Sequence, residues 1–102
     1  MNASQQATEI ERQALRALCQ ESRLRESARN RLRAYHWREA VHQAVFDVLM
    51  TSPWASTGLL QSQLAARLTR RGFPDAAWED LFQPHRMSLA QAEELIDRLG
   101  KE

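Results

Sequence analysis

A chain of 102 residues, 43% hydrophobic and 26% charged, is long enough for one domain with its own core and too apolar to be wholly disordered. Its net charge is only +1, no window approaches the roughly 18 uninterrupted apolar residues of a membrane span, and the polar start Met1-Asn2-Ala3-Ser4-Gln5-Gln6 has no signal-peptide core. From these features no membrane partner is expected, and the protein is expected in the cytoplasm.

Apolar residues recur at helical spacing almost throughout, and no stretch alternates with period two, so strands are not expected. Residues 1–7 read as a flexible N-terminus and residues 8–100 as a single domain. Thr8, with Glu11 three residues on, forms a capping-box pattern ahead of the stripe Ile10, Ala14, Leu15, Leu18 and Cys19. Cys19, the single cysteine, has no internal disulfide partner and reads as a small core residue. Leu24, Ala28, Leu32 and Tyr35 continue at four-residue steps, with Ser22 and Ser27 weakening the junction, which gives two helices or one bent helix. Ala40, Val41, Ala44, Val45, Val48 and Leu49 make a stripe too wide for a surface helix, flanked by Phe46 and Met50, so this segment is expected to be the central helix and to stop before Pro53.

Ser52-Pro53-Trp54-Ala55-Ser56-Thr57-Gly58 reads as a loop. Ser56 or Thr57 can cap the next helix, in which Leu60, Leu64 and Leu68 share a face and Arg67, Arg70 and Arg71 lie near the negative end of the helix dipole. Gly72 supplies a left-handed stop. Pro74 then suits a first helical turn, with Trp78, Leu81 and Phe82 on one face of a short helix ending before Pro84. Ser88 with Gln91 forms a second capping box, and Ala92, Leu95, Ile96 and Leu99 give the last stripe before Gly100. The expected fold class is therefore all-α, a compact bundle of five to six helices with short loops.

The search for chemistry returns little. No pair among His36, His42 and His85 has the i, i+4 spacing of a zinc helix, and Cys19 is distant in sequence, so no metal site is expected. Glu79 with Asp80, and Glu93 with Glu94, are adjacent and project about 100° apart on a helix, poor geometry for a paired acid and base. Gly58, Gly72 and Gly100 are isolated at helix boundaries and form no phosphate loop. No catalytic residue and no cofactor is assigned, and the chain is expected to bind another macromolecule.

Charge is unevenly distributed along the chain. Through Arg38 eight arginines face four glutamates, whereas from Asp75 onward three basic residues face seven acidic ones. Either a solvated helix face or an electrostatically steered partner gives this asymmetry. Arg23, Arg25, Arg29, Arg31 and Arg33 carry an alternative reading of nucleic-acid contact, although Glu21 and Glu26 are interleaved. Thr57 to Gly72 also resembles the first helix of a helix-turn-helix, but Asp75, Glu79 and Asp80 in the following segment repel phosphate.

Trp37-Arg38-Glu39-Ala40-Val41-His42-Gln43-Ala44-Val45-Phe46 resembles a segment shared by the N-terminal domain of the replicative helicase DnaB and the C-terminal helicase-interaction domain of the primase DnaG. In that segment an aromatic residue is followed by a polar pair, often a proline, then His and an apolar-Phe pair. Trp37 matches the aromatic, His42 the histidine and Val45-Phe46 the final pair, with Ala40 where proline is common. Glu11 with Leu15 and Leu18 is similar to the opening helix of these domains, Leu24 to Leu32 to the second, and Leu59 to Gly72 to a helix ending in basic residues and glycine. The resemblance covers roughly residues 9 to 72. It implies an adaptor that docks on a replicative helicase, with Trp37 and Phe46 in the core and a ring nitrogen of His42 satisfied. The primase version fits better than the helicase one, because no glycine-rich continuation follows Gly72. The helical hairpin that follows the primase bundle is expected to be absent or barely begun at Glu102.

Trp37 and Phe46 are nine residues apart, about 900° of continuous helix, and so cannot share a face. Both reach the core only if Trp37 precedes the helix or lies in its first turn, with Tyr35 and His36 in a break before it.

Overall fold

The computed structural model describes residues 3–51, 56–76, 78–84 and 87–101. Among these there are five α-helices, α1 (Ala3–Gln20), α2 (Ser22–Arg31), α3 (Ala40–Thr51), α4 (Thr57–Arg70) and α5 (Leu89–Gly100), one 3-10 helix (Trp78–Phe82) and no strand. The fold is the expected all-α bundle, with principal extents of 30 × 28 × 26 Å. The expected loop across Ser52, Pro53, Trp54 and Ala55 lies outside the described residues, as does His85.

Local sequence explains most boundaries. At Glu21 the backbone turns extended, with φ −122° and ψ 100°, so the first stretch is two helices and not one bent helix. Ser56 caps α4 by accepting from the Leu59 N–H at 3.1 Å. The other end of α4 closes in a Schellman motif: Gly72 adopts φ 94°, its N–H reaches the Thr69 carbonyl at 3.1 Å, and Phe73 reaches Leu68 at 2.9 Å. The capping box of α5 forms as the sequence indicates, Ser88 accepting from the Gln91 N–H at 3.1 Å and Gln91 returning the contact to the Ser88 N–H at 2.9 Å.

Four expectations are corrected. The first helix begins at Ala3, so Thr8 lies inside it and residues 3–7 are helical; Glu11 turns inward instead of closing a capping box. The hub of the bundle is α1, which touches every other element, whereas α3 packs on α1, α2 and α4. The reason is perimeter: Glu11, Ala14, Leu15, Ala17, Leu18 and Cys19 are all buried, and the small Ala14 and Ala17 let neighbours approach, while Val41, Gln43, Asp47 and Met50 of α3 keep part of their surface in water. Pro74 lies in a turn closed by the Ala76 N–H on the Phe73 carbonyl, and the helix after it is 3-10 and starts only at Trp78. Gly100 is the last residue of α5 and not the stop after it.

The place of Gly100 follows from the crossing of α5 with α2. A Cβ at this position would stand 2.7 Å from the Arg31 carbonyl oxygen, closer than two such atoms can approach. Gly58, near the start of α4, has nothing within 4 Å of the same construction. Gly100→Ala is therefore expected to cost about 1–3 kcal/mol through forced separation of α2 and α5. Gly58→Ala should raise stability by about 0.5–1 kcal/mol through helix propensity. Urea unfolding midpoints of the two variants, moving in opposite directions from the parent, check this.

Candidate functional site

Glu11 lies four and seven residues before Leu15 and Leu18, on the same face of α1, and so enters the core with them. A buried carboxylate without partners is strongly disfavoured, and Glu11 has three donors. The Tyr35 hydroxyl and the Arg38 backbone N–H, the latter at 2.9 Å, both donate to Oε2; His42 Nδ1 meets Oε1 at 2.9 Å. An ionised carboxylate only accepts, so Nδ1 of His42 faces it as the donor.

An aromatic group closes over this polar knot. Trp37 is buried, with its ring centroid 5.0 Å from Tyr35, 5.2 Å from Phe46 and 6.4 Å from His42. Residues 35–39 are non-helical and α3 starts at Ala40, so Trp37 precedes the helix while Phe46 packs from its middle. Val45 is buried one residue before Phe46, and Leu15 and Leu18 are wholly enclosed. All seven residues of the resemblance thus belong to the core or line it. Tyr35, which the sequence offers as a stripe residue and as part of the break before α3, proves to be a ligand of Glu11. Among the buried polar atoms of the described residues, Trp37 Nε1 has no hydrogen-bond partner.

The arginine-rich segment is distributed differently from the expected surface run. Arg25 is wholly buried, and its guanidinium donates to the Leu18 carbonyl at 2.7 Å and the Cys19 carbonyl at 3.0 Å, at the negative end of the α1 dipole. Burial pulls its pKa down, although a guanidinium stays charged. Arg25 is therefore removed from the nucleic-acid reading. Its spacing to Ala28 and Leu32, three and seven residues on, was the available signal for an inward face. Arg29 donates to the Met50 carbonyl at 2.9 Å at the end of α3, and Arg31 reaches the Glu93 carbonyl at 3.5 Å. Arg23 and Arg33 are exposed.

Arg12, Arg16 and Gln20 form a row at four-residue steps along α1 and bind the 3-10 segment. Arg12 pairs with Asp80 and with Glu9; Arg16 reaches the Asp80 carboxylate at 3.1 Å; Gln20 donates to the Leu81 and Gln83 carbonyls at 3.1 and 2.7 Å. The Arg12 hydrogen bond holds the Glu9 carboxyl below its ordinary range. Part of the basic N-terminal excess is therefore met by acid from the C-terminal part inside the molecule.

Burial pushes the Cys19 thiol up to about 12, so it is protonated and unreactive at neutral pH. Among the described residues no three His, Cys, Asp or Glu side chains gather as a metal ion needs. His36 is exposed, and Glu79, Glu93 and Glu94 point to solvent. No helix of the described residues is long and apolar enough to cross a membrane. Comparison with known protein families, characterised proteins and solved structures finds no match to this chain.

A variant series separates the polar knot from the aromatic lid. Glu11→Ala leaves three donors facing apolar surroundings and is expected to cost about 3–5 kcal/mol; Tyr35→Phe, which removes one of them, should cost about 1–2 kcal/mol. Trp37→Ala should cost about 3–5 kcal/mol, whereas Trp37→Phe should stay under about 1.5 kcal/mol because the indole N–H it loses was unpaired. Equilibrium unfolding in urea gives all four values. A Trp37→Ala midpoint equal to the parent's would refute the packed position of this ring.

Proposed function

We propose that this chain is a non-catalytic interaction domain that docks on a replicative helicase, in the manner of the helicase-binding domain of bacterial primase. One observation carries the reading. Glu11, Trp37, His42 and Phe46, on which the resemblance rests, come from separate segments and meet in one buried cluster. Convergence of the buried carboxylate with the matched aromatic residues and histidine is what the resemblance calls for. The cluster spends its polar groups on shaping the bundle end, which suits an adaptor whose work is done by its outer surface. Isothermal calorimetry with a hexameric bacterial replicative helicase is expected to show binding in the range of about 1–50 μM, as transient interfaces of this kind do; absence of heat at about 100 μM would sink the proposal.

A second reading, nucleic-acid binding, finds support on a different surface from the arginine run. Arg67, Arg70 and Arg71, at the end of α4, line an open hollow of about 460 Å³ together with Thr51. Phosphate-driven binding there must weaken steeply between about 50 and 200 mM salt. A mobility shift that is absent even at low salt removes it.

A further inference from the structure

Between Asp47 and Asp75 the chain has no acidic residue, and the three arginines of that stretch, Arg67, Arg70 and Arg71, line one open hollow with Thr51. They lie three and four residues apart, on one side of the end of α4. Basic residues near a helix C-terminus ordinarily serve the free carbonyls there. Here the backbone has taken them: the Arg71 N–H reaches the Arg67 and Leu68 carbonyls at 3.2 and 3.1 Å, Gly72 reaches Thr69 at 3.1 Å, and Phe73 reaches Leu68 at 2.9 Å. At the end of α3, Arg29 occupies the Met50 carbonyl. The side chains of Arg70 and Arg71 are exposed and make no hydrogen bond or ion pair among the described residues. Arg67 differs from them, because its guanidinium donates to the Thr51 hydroxyl at 3.2 Å, and that hydroxyl donates to the Val48 carbonyl at 2.6 Å. A third charge is thereby held between α3 and α4. The two helix ends bring about half a negative charge each against three full positive ones, so a surplus of about two positive charges faces water.

Resting on the nucleic-acid reading of this hollow, we infer that it is a backbone-contact site for a nucleic-acid duplex, with Arg70 and Arg71 as the phosphate ligands and Arg67 as the held third charge. The lining decides the class of partner. Among the described residues around the hollow no apolar side chain is present to enter a bilayer or to stack on an unpaired base, and what three guanidinium groups recognise is phosphate. Spacing decides the form. Arg67 to Arg71 covers about 6 Å of helix axis, over which a duplex presents about three to four phosphate charges and one strand about two. Three cations in that length match the duplex.

The test uses the full chain and the fluorescence anisotropy of a labelled DNA duplex of about 20 base pairs. Three phosphate contacts give a slope of log K against log salt of about −2.7, which is about 40-fold weaker binding at about 200 mM salt than at about 50 mM. Arg70→Gln combined with Arg71→Gln should leave circular dichroism unchanged, weaken binding at least about tenfold at about 50 mM salt and flatten the slope to about −0.9. Arg23→Gln combined with Arg33→Gln removes the same charge from another exposed surface and should change affinity by less than about twofold. A single strand of the same length should bind more weakly than the duplex. Equal losses in the two double variants, or a parent slope steeper than about −5, would overturn the site, and the slope needs no variant to fold. A single strand that binds more tightly, or polyglutamate that competes as well as unlabelled duplex, would overturn the occupant. Failure at the two levels is distinguishable: no binding of either DNA form at about 20 mM salt removes the nucleic-acid reading itself, whereas binding that survives unchanged without Arg70 and Arg71 leaves nucleic-acid binding standing and sinks this site alone.

Discussion

A carboxylate taken out of water into a helical bundle forfeits its hydration, so Glu11 imposes conditions that the chain around it has to meet. It needs donors, and α1 cannot supply them, because the N–H groups of a helix interior are already engaged. They arrive from Tyr35, Arg38 and His42. To deliver a hydroxyl, a backbone N–H and an imidazole to one carboxylate, the chain must leave the helix after Leu32, return across α1 in a non-helical stretch, and restart as a helix by Ala40. That return carries Trp37 over the end of the bundle and places Phe46 beneath it. Removing the Arg38 N–H from any helical ladder is therefore part of how the carboxylate is solvated by protein.

Arg25 answers a matching problem at the other end of α1. The last four carbonyls of a helix lack partners within it, and this helix ends inside the molecule. Ala17 receives the Glu21 N–H at 2.8 Å, Leu18 and Cys19 receive the Arg25 guanidinium, and Gln20 receives the Thr57 hydroxyl at 3.4 Å. Every carbonyl of the last turn is thus occupied. The donors come from the α1 to α2 junction, from α2 and from the first residue of α4, so the end of the hub helix gathers its neighbours. A buried guanidinium is tolerable here because it meets two carbonyls and the negative end of a dipole.

Features written within a few residues were legible in the sequence. Ser56 as cap, Gly72 as left-handed stop, the Ser88 and Gln91 box and the leucine stripes of α4 and α5 all depend on neighbours at three or four positions, and the structure has each of them. The expectations that failed depend on what surrounds an element. Thr8 and Glu11 have the spacing of a capping box, but a glutamate on a leucine face serves equally as a core ligand, and only the donors of residues 35–42 decide between them. Width of apolar surface points to α3 as the hub, while α1 is more enclosed because it also buries Glu11 and Ala17, which lie outside its apolar stripe. Arg25 was hidden by company: four neighbouring arginines suggested a surface, although its own spacing to Ala28 and Leu32 faced inward. Of the candidate cluster, Trp37, His42 and Phe46 were legible through the resemblance, and Tyr35 was not, because a tyrosine on a stripe does not announce where its hydroxyl ends.

Helices packed only through leucine and alanine can slide or rotate against one another at little cost, since one apolar contact replaces another. Directional groups remove that freedom. Glu11 accepts from one particular backbone N–H, so moving the 35–39 stretch by one residue along α1 would strand a carboxylate, a hydroxyl and an imidazole together. Arg25 reaches two particular carbonyls, so rotating α2 about its axis would bury a charge with no partner. Arg12, Arg16 and Gln20 set the height of the 3-10 segment along the same helix through Asp80 and the Leu81 and Gln83 carbonyls. Three polar devices, all anchored on α1, therefore fix the register of three different neighbours, and the apolar core supplies cohesion without having to choose among arrangements. The consequence for His42 is direct. Its ring is held by the device that sets the bundle end, so its orientation is inherited from the fold.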